Sequence, residues 1–158
     1  GSGNNRYQLL EVDDLVTAIN CALNSRSKKV NSAFNIGAEV YGTVKSDLEA
    51  LFGYAKSGST IFPVPSVFVK TPLRILEALH LSPLYRWVYD TADKDSFVSI
   101  EKAKKILGWK PKYSNAQALI RSYNWYKKHY KNIKSKRAGF THTVGWKQGA
   151  LGIVKRLM

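Results

Sequence analysis

The stretches of this chain that suit a β-strand are short, and each is stopped by a glycine, a proline or a helix start, whereas the helical periods between them are longer. Tyr7-Gln8-Leu9-Leu10-Glu11-Val12 is one such run, and Asp13 and Asp14 follow it where an N-cap and an acidic first turn belong. Leu15, Ala18, Ile19, Ala22 and Leu23 then recur at three- and four-residue spacing, which predicts a helix through Asn24. Ser32 to Ile36 reads as a second short strand closed by Gly37, and Thr43 caps a second helix with Val44, Leu48, Leu51 and Phe52 on its apolar face. Thr60 to Pro65 is a brief extended piece, because neither Pro63 nor Pro65 has an N–H to give a ladder. A helix is expected between Ser66 and Leu81, restarting at Thr71 so that Pro72 takes its first position. Pro83 to Tyr89 adds a short helical piece.

Further on, Ser99 caps a helix over Ile100 to Leu107 that Gly108 ends. Ser114 or Asn115 caps a long helix whose buried face is expected to be Ala116, Leu119, Ile120, Tyr123, Tyr126 and Tyr130. Residues 132–139 read as a basic linker, and Trp146, Ala150, Ile153, Val154 and Leu157 form one stripe of a terminal amphipathic segment. The fold class expected is α/β, helix-rich, with few short strands.

With 158 residues, 44% of them hydrophobic and 23% charged, the chain falls in the globular range, outside the disordered, collagenous and coiled-coil classes. It has no run near the roughly 18 apolar residues of a membrane span, and no basic-then-apolar leader at its start. One cysteine, Cys21, excludes an internal disulfide and suggests a reducing, cytoplasmic setting. His80, His129 and His142 stand apart from one another, so no metal site is expected. The net charge of +14 is uneven: Gly1 to Glu101 carries ten Lys/Arg against eleven Asp/Glu, and Lys102 to Met158 carries fifteen against none. Such a block attracts polyanions, whether nucleic acid, anionic lipid, phosphorylated ligand or an acidic surface, or simply forms a solvated basic face.

Walker loops and nucleophile elbows are absent, and Gly145, Gly149 and Gly152 lack the spacing and preceding strand of a dinucleotide loop. Tyr-x3-Lys, a pairing that lowers a tyrosine's pKa for proton transfer, occurs at Tyr41/Lys45, Tyr123/Lys127 and Tyr130/Lys134, and each is read as packing or loop surface. Asp13 and Asp14 are read as capping groups instead of an acid and a base. No catalytic residue is expected on this chain.

Three segments, taken in order, resemble one family. Arg6-Tyr7-Gln8-Leu9-Leu10-Glu11-Val12-Asp13-Asp14-Leu15 is similar to the HVDDLA element of extended short-chain dehydrogenase/reductases, the NAD-dependent nucleotide-sugar epimerases and dehydratases. Phe34-Asn35-Ile36-Gly37 resembles that family's YNIG strand, and Lys102-Ala103-Lys104-Lys105-Ile106-Leu107-Gly108-Trp109-Lys110-Pro111 its KAxxLGWxP ending. Glu11 stands where the family carries histidine. The resemblance covers the C-terminal part of such an enzyme, and neither the Gly-rich loop nor the catalytic tyrosine of its Rossmann half is recoverable here. It implies that residues 1–131 are a substrate-binding region and 132–158 a basic linker and tail. It also implies a nucleotide-sugar substrate such as a UDP-sugar, NAD or NADP in the full-length enzyme but not on this segment, and no catalysis by the segment alone; apolar surface left exposed where the Rossmann sheet is missing predicts a homo-oligomer. Arg6 and Arg86 are the candidate diphosphate contacts, since a guanidinium fork suits phosphate; a surface ion pair is the competing reading for both. Asn35, Gly37, Gly108 and Trp109 are read as structural. Two other readings stay open: a basic nucleic-acid-binding module, the weaker of the two, and a module that docks on an anionic membrane surface or a partner.

Overall fold

The computed structural model describes residues 1–81 and 86–135, in the order α1 (Val12–Asn24), a 3₁₀ turn (Lys28–Val30), α2 (Val44–Ala55), α3 (Ser66–Ala78), α4 (Arg86–Thr91), α5 (Glu101–Leu107) and α6 (Asn115–Ser135). The chain divides into two compact units. The larger comprises Gly3–Ile61 and Lys94–Ser122; the smaller comprises Gly1–Ser2, Phe62–Asp93 and Tyr123–Met158.

In the larger unit, α1 and α2 form where the periodicity places them. Glu11, not an aspartate, caps α1, its carboxylate accepting from Asp13 N–H at 2.6 Å. Thr43 and Ser46 cap α2 reciprocally, each side chain accepting the other's backbone N–H. α5 ends at Gly108, whose φ of +64° is the left-handed conformation a glycine supplies without strain. Ser99 gives α5 only a long 3.5 Å contact from Glu101 N–H. Ala18 of α1, Ala103 of α5, Ile100 and Trp109 form the core, with Cys21, Phe34, Ile36 and Leu107 packed against it. Two alanines face each other there, so the helices approach closely and the indole of Trp109 fills the gap at their end.

The expected strands do not form. Among the described residues, β pairing consists of two isolated bridges, Arg6 to Thr43 antiparallel and Tyr7 to Ser96 parallel. The fold class is therefore helix-rich with almost no strand. Ser32 to Ile36 finds no neighbouring strand: Phe34 and Ile36 turn into the core, and Ala33 C=O accepts from Lys102 Nζ at 2.8 Å. Thr60 to Pro65 likewise stays unpaired.

In the smaller unit, α3 runs unbroken through Pro72, against the expected restart at Thr71. Proline deprives the Phe68 carbonyl of its helical donor, but both residues lie on the solvent side, where water meets that carbonyl. α4 overlaps the helical piece expected near Tyr89. α6 continues four residues into the expected linker. Its most buried positions are Asn115 and Ala118, while Tyr126 and Tyr130, expected inside, are exposed and meet edge-on at 5.5 Å. The 145–152 glycines, His142 and the stripe from Trp146 to Leu157 lie outside the described residues.

Candidate functional site

Residues 5–9 form the middle of an extended platform. Gln8 N–H donates to Ser96 C=O at 2.9 Å and Ser96 N–H to Arg6 C=O at 2.8 Å on one side, while Ala38 N–H donates to Leu9 C=O at 2.8 Å and Val44 N–H to Asn5 C=O at 2.9 Å on the other. The Gln8 amide clamps both flanks, donating to Ala38 C=O at 2.7 Å and accepting from Val98 N–H at 2.8 Å. A Cβ at Gly37 would lie 2.6 Å from Gln8 Cδ, so a side chain there would displace the Gln8 amide from this clamp.

Below the platform lies a buried polar network. Asn115 Nδ2 donates to Tyr7 C=O at 2.6 Å and to Asp47 Oδ2 at 2.8 Å, and its Oδ1 accepts from Leu9 N–H at 2.9 Å. The buried Asp14 carboxylate accepts from Lys112 N–H at 2.8 Å and Tyr113 N–H at 3.0 Å. Trp109 Nε1–H is shared between Asp14 C=O and Thr17 Oγ1 at 3.1 and 3.2 Å. Asp14 thus caps no helix; it ties α1 to the loop before α6. Both its oxygens are occupied, and Asp13 pairs with Arg121.

The platform brings Arg6 next to Thr43 and Tyr7 next to Ser96, so that Tyr41 and Phe97, whose rings meet at 5.7 Å, flank the segment carrying Arg6. Arg6 is held through its backbone, its N–H donating to Asp95 Oδ1 at 2.7 Å. Its guanidinium is exposed and makes no ion pair among the described residues. An exposed guanidinium with no ion pair is equipped to meet a phosphate. Tyr41, half-buried before α2, leans on Phe97, while Lys45 in the first turn of α2 pairs with Glu49 at 3.8 Å.

Arg86 belongs to the smaller unit and is already engaged. Its Nε donates to Asp90 Oδ2 at 3.1 Å, Arg74 holds the other oxygen at 2.9 Å, and Lys70 pairs with Asp93 at 2.7 Å. Arg74 foremost, and Arg86, hold the Asp90 carboxyl below its ordinary value of 3.8; Lys70 foremost does the same for Asp93. A depressed carboxylate stabilises the fold above its unfolded-state pKa and loses that contribution as pH falls through its lower folded-state value. Acid titration followed by helical circular dichroism is therefore expected to show loss of the α3–α4 pairing only below about pH 3.8, and Arg74→Ala/Lys70→Ala should remove that acid-dependent step. A step of unchanged size in the variant would show that other carboxylates cause it.

Sequence reading missed Arg121. It bridges Glu11 Oε1 at 3.0 Å and Asp13 Oδ2 at 2.5 Å and lies over the Tyr113 ring at 4.3 Å. The only trace in the sequence is Glu11 itself, the position where the resembled family has histidine. Among the described residues no His/Cys/Asp/Glu group is arranged to hold a metal.

No family model matches the chain. It is 34% identical over 154 residues, 98% of its length, to the uncharacterized protein y4nG of Sinorhizobium fredii. It is also 34% identical over 128 residues, 78% of its length, to the chloroplast stem-loop binding protein of 41 kDa b of Arabidopsis thaliana. The chain spans 38% and 29% of those two proteins. Among solved structures, the UDP-glucuronic acid 4-epimerase from Bacillus cereus in complex with NAD matches with a TM-score of 0.58, over 85% of this chain and 34% of that one, at 18% identity. The chain has the fold of part of an epimerase. At that identity the epimerase shares architecture, not demonstrated chemistry.

Proposed function

We infer that this chain is the sugar-nucleotide-binding, C-terminal part of an NAD(P)-dependent epimerase or dehydratase, and that it is not catalytic alone. The observation that carries the reading is the fold likeness to the Bacillus cereus epimerase, which coincides with three family-like segments in their family order. In this reading the Rossmann half, with the cofactor and the catalytic tyrosine, lies in the remainder of a longer cytoplasmic protein. When bound there, the cofactor would oxidise the sugar transiently; this chain's residues would hold the nucleotide diphosphate. Arg6 makes the principal phosphate contact, with Tyr41 and Phe97 beside it. Arg86, in the smaller unit, is the weaker candidate, because its guanidinium is already engaged by Asp90 at 3.1 Å.

An exposed stripe on α1, Val12, Val16, Ile19 and Leu23, supports a larger assembly, since apolar area of this kind is covered in a complete protein or homo-oligomer. The test is the intact mass of the protein from its source, its bound nicotinamide, and calorimetric titration with a UDP-sugar. A polypeptide heavier than 17.8 kDa that carries NAD(P) is expected, with Arg6→Ala weakening UDP-sugar binding about tenfold or more and Arg86→Ala less. A native species of 17.8 kDa without cofactor would overturn the reading.

A second reading rests on the plant relative, whose name describes stem-loop binding, together with the cation-rich final third. It predicts hairpin-RNA affinity that falls steeply with salt and is indifferent to UDP-sugars.

A further inference from the structure

The cations of the larger unit gather on one side of it. α1 has no charged residue after Asp14, and from Leu15 to Ala38 the chain carries Arg26, Lys28 and Lys29 but no Asp or Glu. Lys28 and Lys29 open the 3₁₀ turn, Arg26 precedes it, and all three are exposed. The turn packs against α5, on which the exposed Lys102 and Lys105 stand three residues apart and so share one side. Lys102 Nζ donates to Ala33 C=O at 2.8 Å and lies 5.0 Å from the centre of the Phe34 ring, which turns that side of α5 toward the chain that follows the turn.

These five cations have no counter-charge among the described residues. The carboxylates that reach α5, Glu39 and Glu101, are both taken by Lys104, at 2.7 and 3.1 Å. Between Asn24 and Glu39, and between Ser99 and Tyr113, no large apolar side chain is exposed; the groups that accompany the cations are the exposed Asn31, Ser32 and Asn35, which donate hydrogen bonds. An apolar face gains by being covered in a longer protein, but a face of unpaired cations does not, because burial forfeits their hydration unless carboxylates are supplied. The ligand that fits is an anion of high charge density. An anionic bilayer offers acyl chains that this surface has nothing to meet, and a single strand offers bases that need exposed rings to stack on. A duplex turns its bases inward and presents one negative charge per about 1.7 Å of its axis, a density suited to cations crowded beside a helix about 10 Å long.

We propose that the surface formed by Arg26, Lys28, Lys29, Lys102 and Lys105 binds the phosphate backbone of a nucleic-acid duplex. The proposal rests on the second reading above, to which it gives a definite surface, and it leaves the platform around Arg6 to the sugar-nucleotide reading. Every residue it uses lies in the larger unit.

The test is fluorescence anisotropy of the native-length protein with a hairpin RNA of about 16 base pairs and with a single strand of equal length, from about 50 to 200 mM salt. Hairpin binding that falls steeply with salt, and weaker binding of the single strand, are expected. Lys28→Glu/Lys29→Glu/Lys105→Glu should weaken hairpin binding at least about tenfold and lower the salt slope by about three. Its melting should be unchanged, because the three side chains are exposed. Lys127→Glu/Lys128→Glu/Lys131→Glu makes the same change of net charge at exposed lysines of α6 in the smaller unit, and should weaken binding several-fold less. A native-length protein that ignores the hairpin, whether or not it sediments with phosphatidylserine vesicles, would overturn the second reading and the proposal together. Hairpin binding whose loss is equal in the two variants, or confined to the α6 variant, would overturn the proposal alone and leave that reading standing. The proposal would also fail if a saturating UDP-sugar displaced the hairpin, which would put the RNA on the platform, or if the Lys28/Lys29/Lys105 variant melted at a lower temperature, which would show that carboxylates of the same protein already cover these lysines.

Discussion

Leucine in place of Asn115 is expected to lower the unfolding free energy by about 4 kcal/mol, more than most single substitutions do. The side chain is 1% exposed and its amide serves three partners at once: Tyr7 C=O, Asp47 Oδ2 and Leu9 N–H. Leucine matches the volume but leaves all three desolvated, and an orphaned buried group costs about 1–3 kcal/mol, more where it is charged like Asp47. Domains of this size are stable by only about 5–15 kcal/mol, so the variant should sit near its unfolding midpoint in mild urea. Urea unfolding with an unchanged slope and a midpoint moved far toward zero is the expected record. A change below about 1 kcal/mol would mean that water reaches the three groups once the amide is gone.

Trp109→Ala should cost a similar amount, about 4 kcal/mol, by a different route. The ring, 2% exposed, closes the end of the Ala18–Ala103 contact, where neighbouring side chains are too small to collapse into the space it leaves. Trp109→Phe separates the two parts of the effect. It keeps most of the packing and removes only the N–H shared by Asp14 C=O and Thr17 Oγ1, so about a third of the loss is expected. Thermal melts of both variants decide the matter; equal losses would show that the hydrogen bonds, not the packing, hold this corner.

What was legible in the sequence was local. α1, α2 and the end of α5 follow from periodicity, the Thr43 cap and Gly108, all decided within a turn or two of chain. The strands misled because a β-compatible run becomes a strand only beside a partner, and Ser32 to Ile36 has none among the described residues. Asp14 lies in the acidic first turn expected of it and Ser114 supplies the cap expected of Ser114 or Asn115, its Oγ accepting from Gln117 N–H at 3.3 Å, but Asp14 and Asn115 themselves misled for a related reason. Each stands where a cap belongs, yet each is used by residues about a hundred positions away, a relation no spacing rule contains. Of the candidate site, Arg6 was reached only by resemblance. Tyr41 was noticed only for its spacing from Lys45 and Phe97 not at all, since the platform that brings the two rings together is made of single bridges.

The long reach of Asn115 also bears on the order in which the larger unit acquires structure. Its side chain bonds only to residues made before Leu48, and Trp109 closes on α1, so residues 1–60 leave the ribosome ahead of the groups that complete their hydrogen bonding. Contacts this distant in sequence are slow to form. During synthesis α1 therefore cannot complete its packing and hydrogen bonding until the segment around Trp109 and Asn115 emerges.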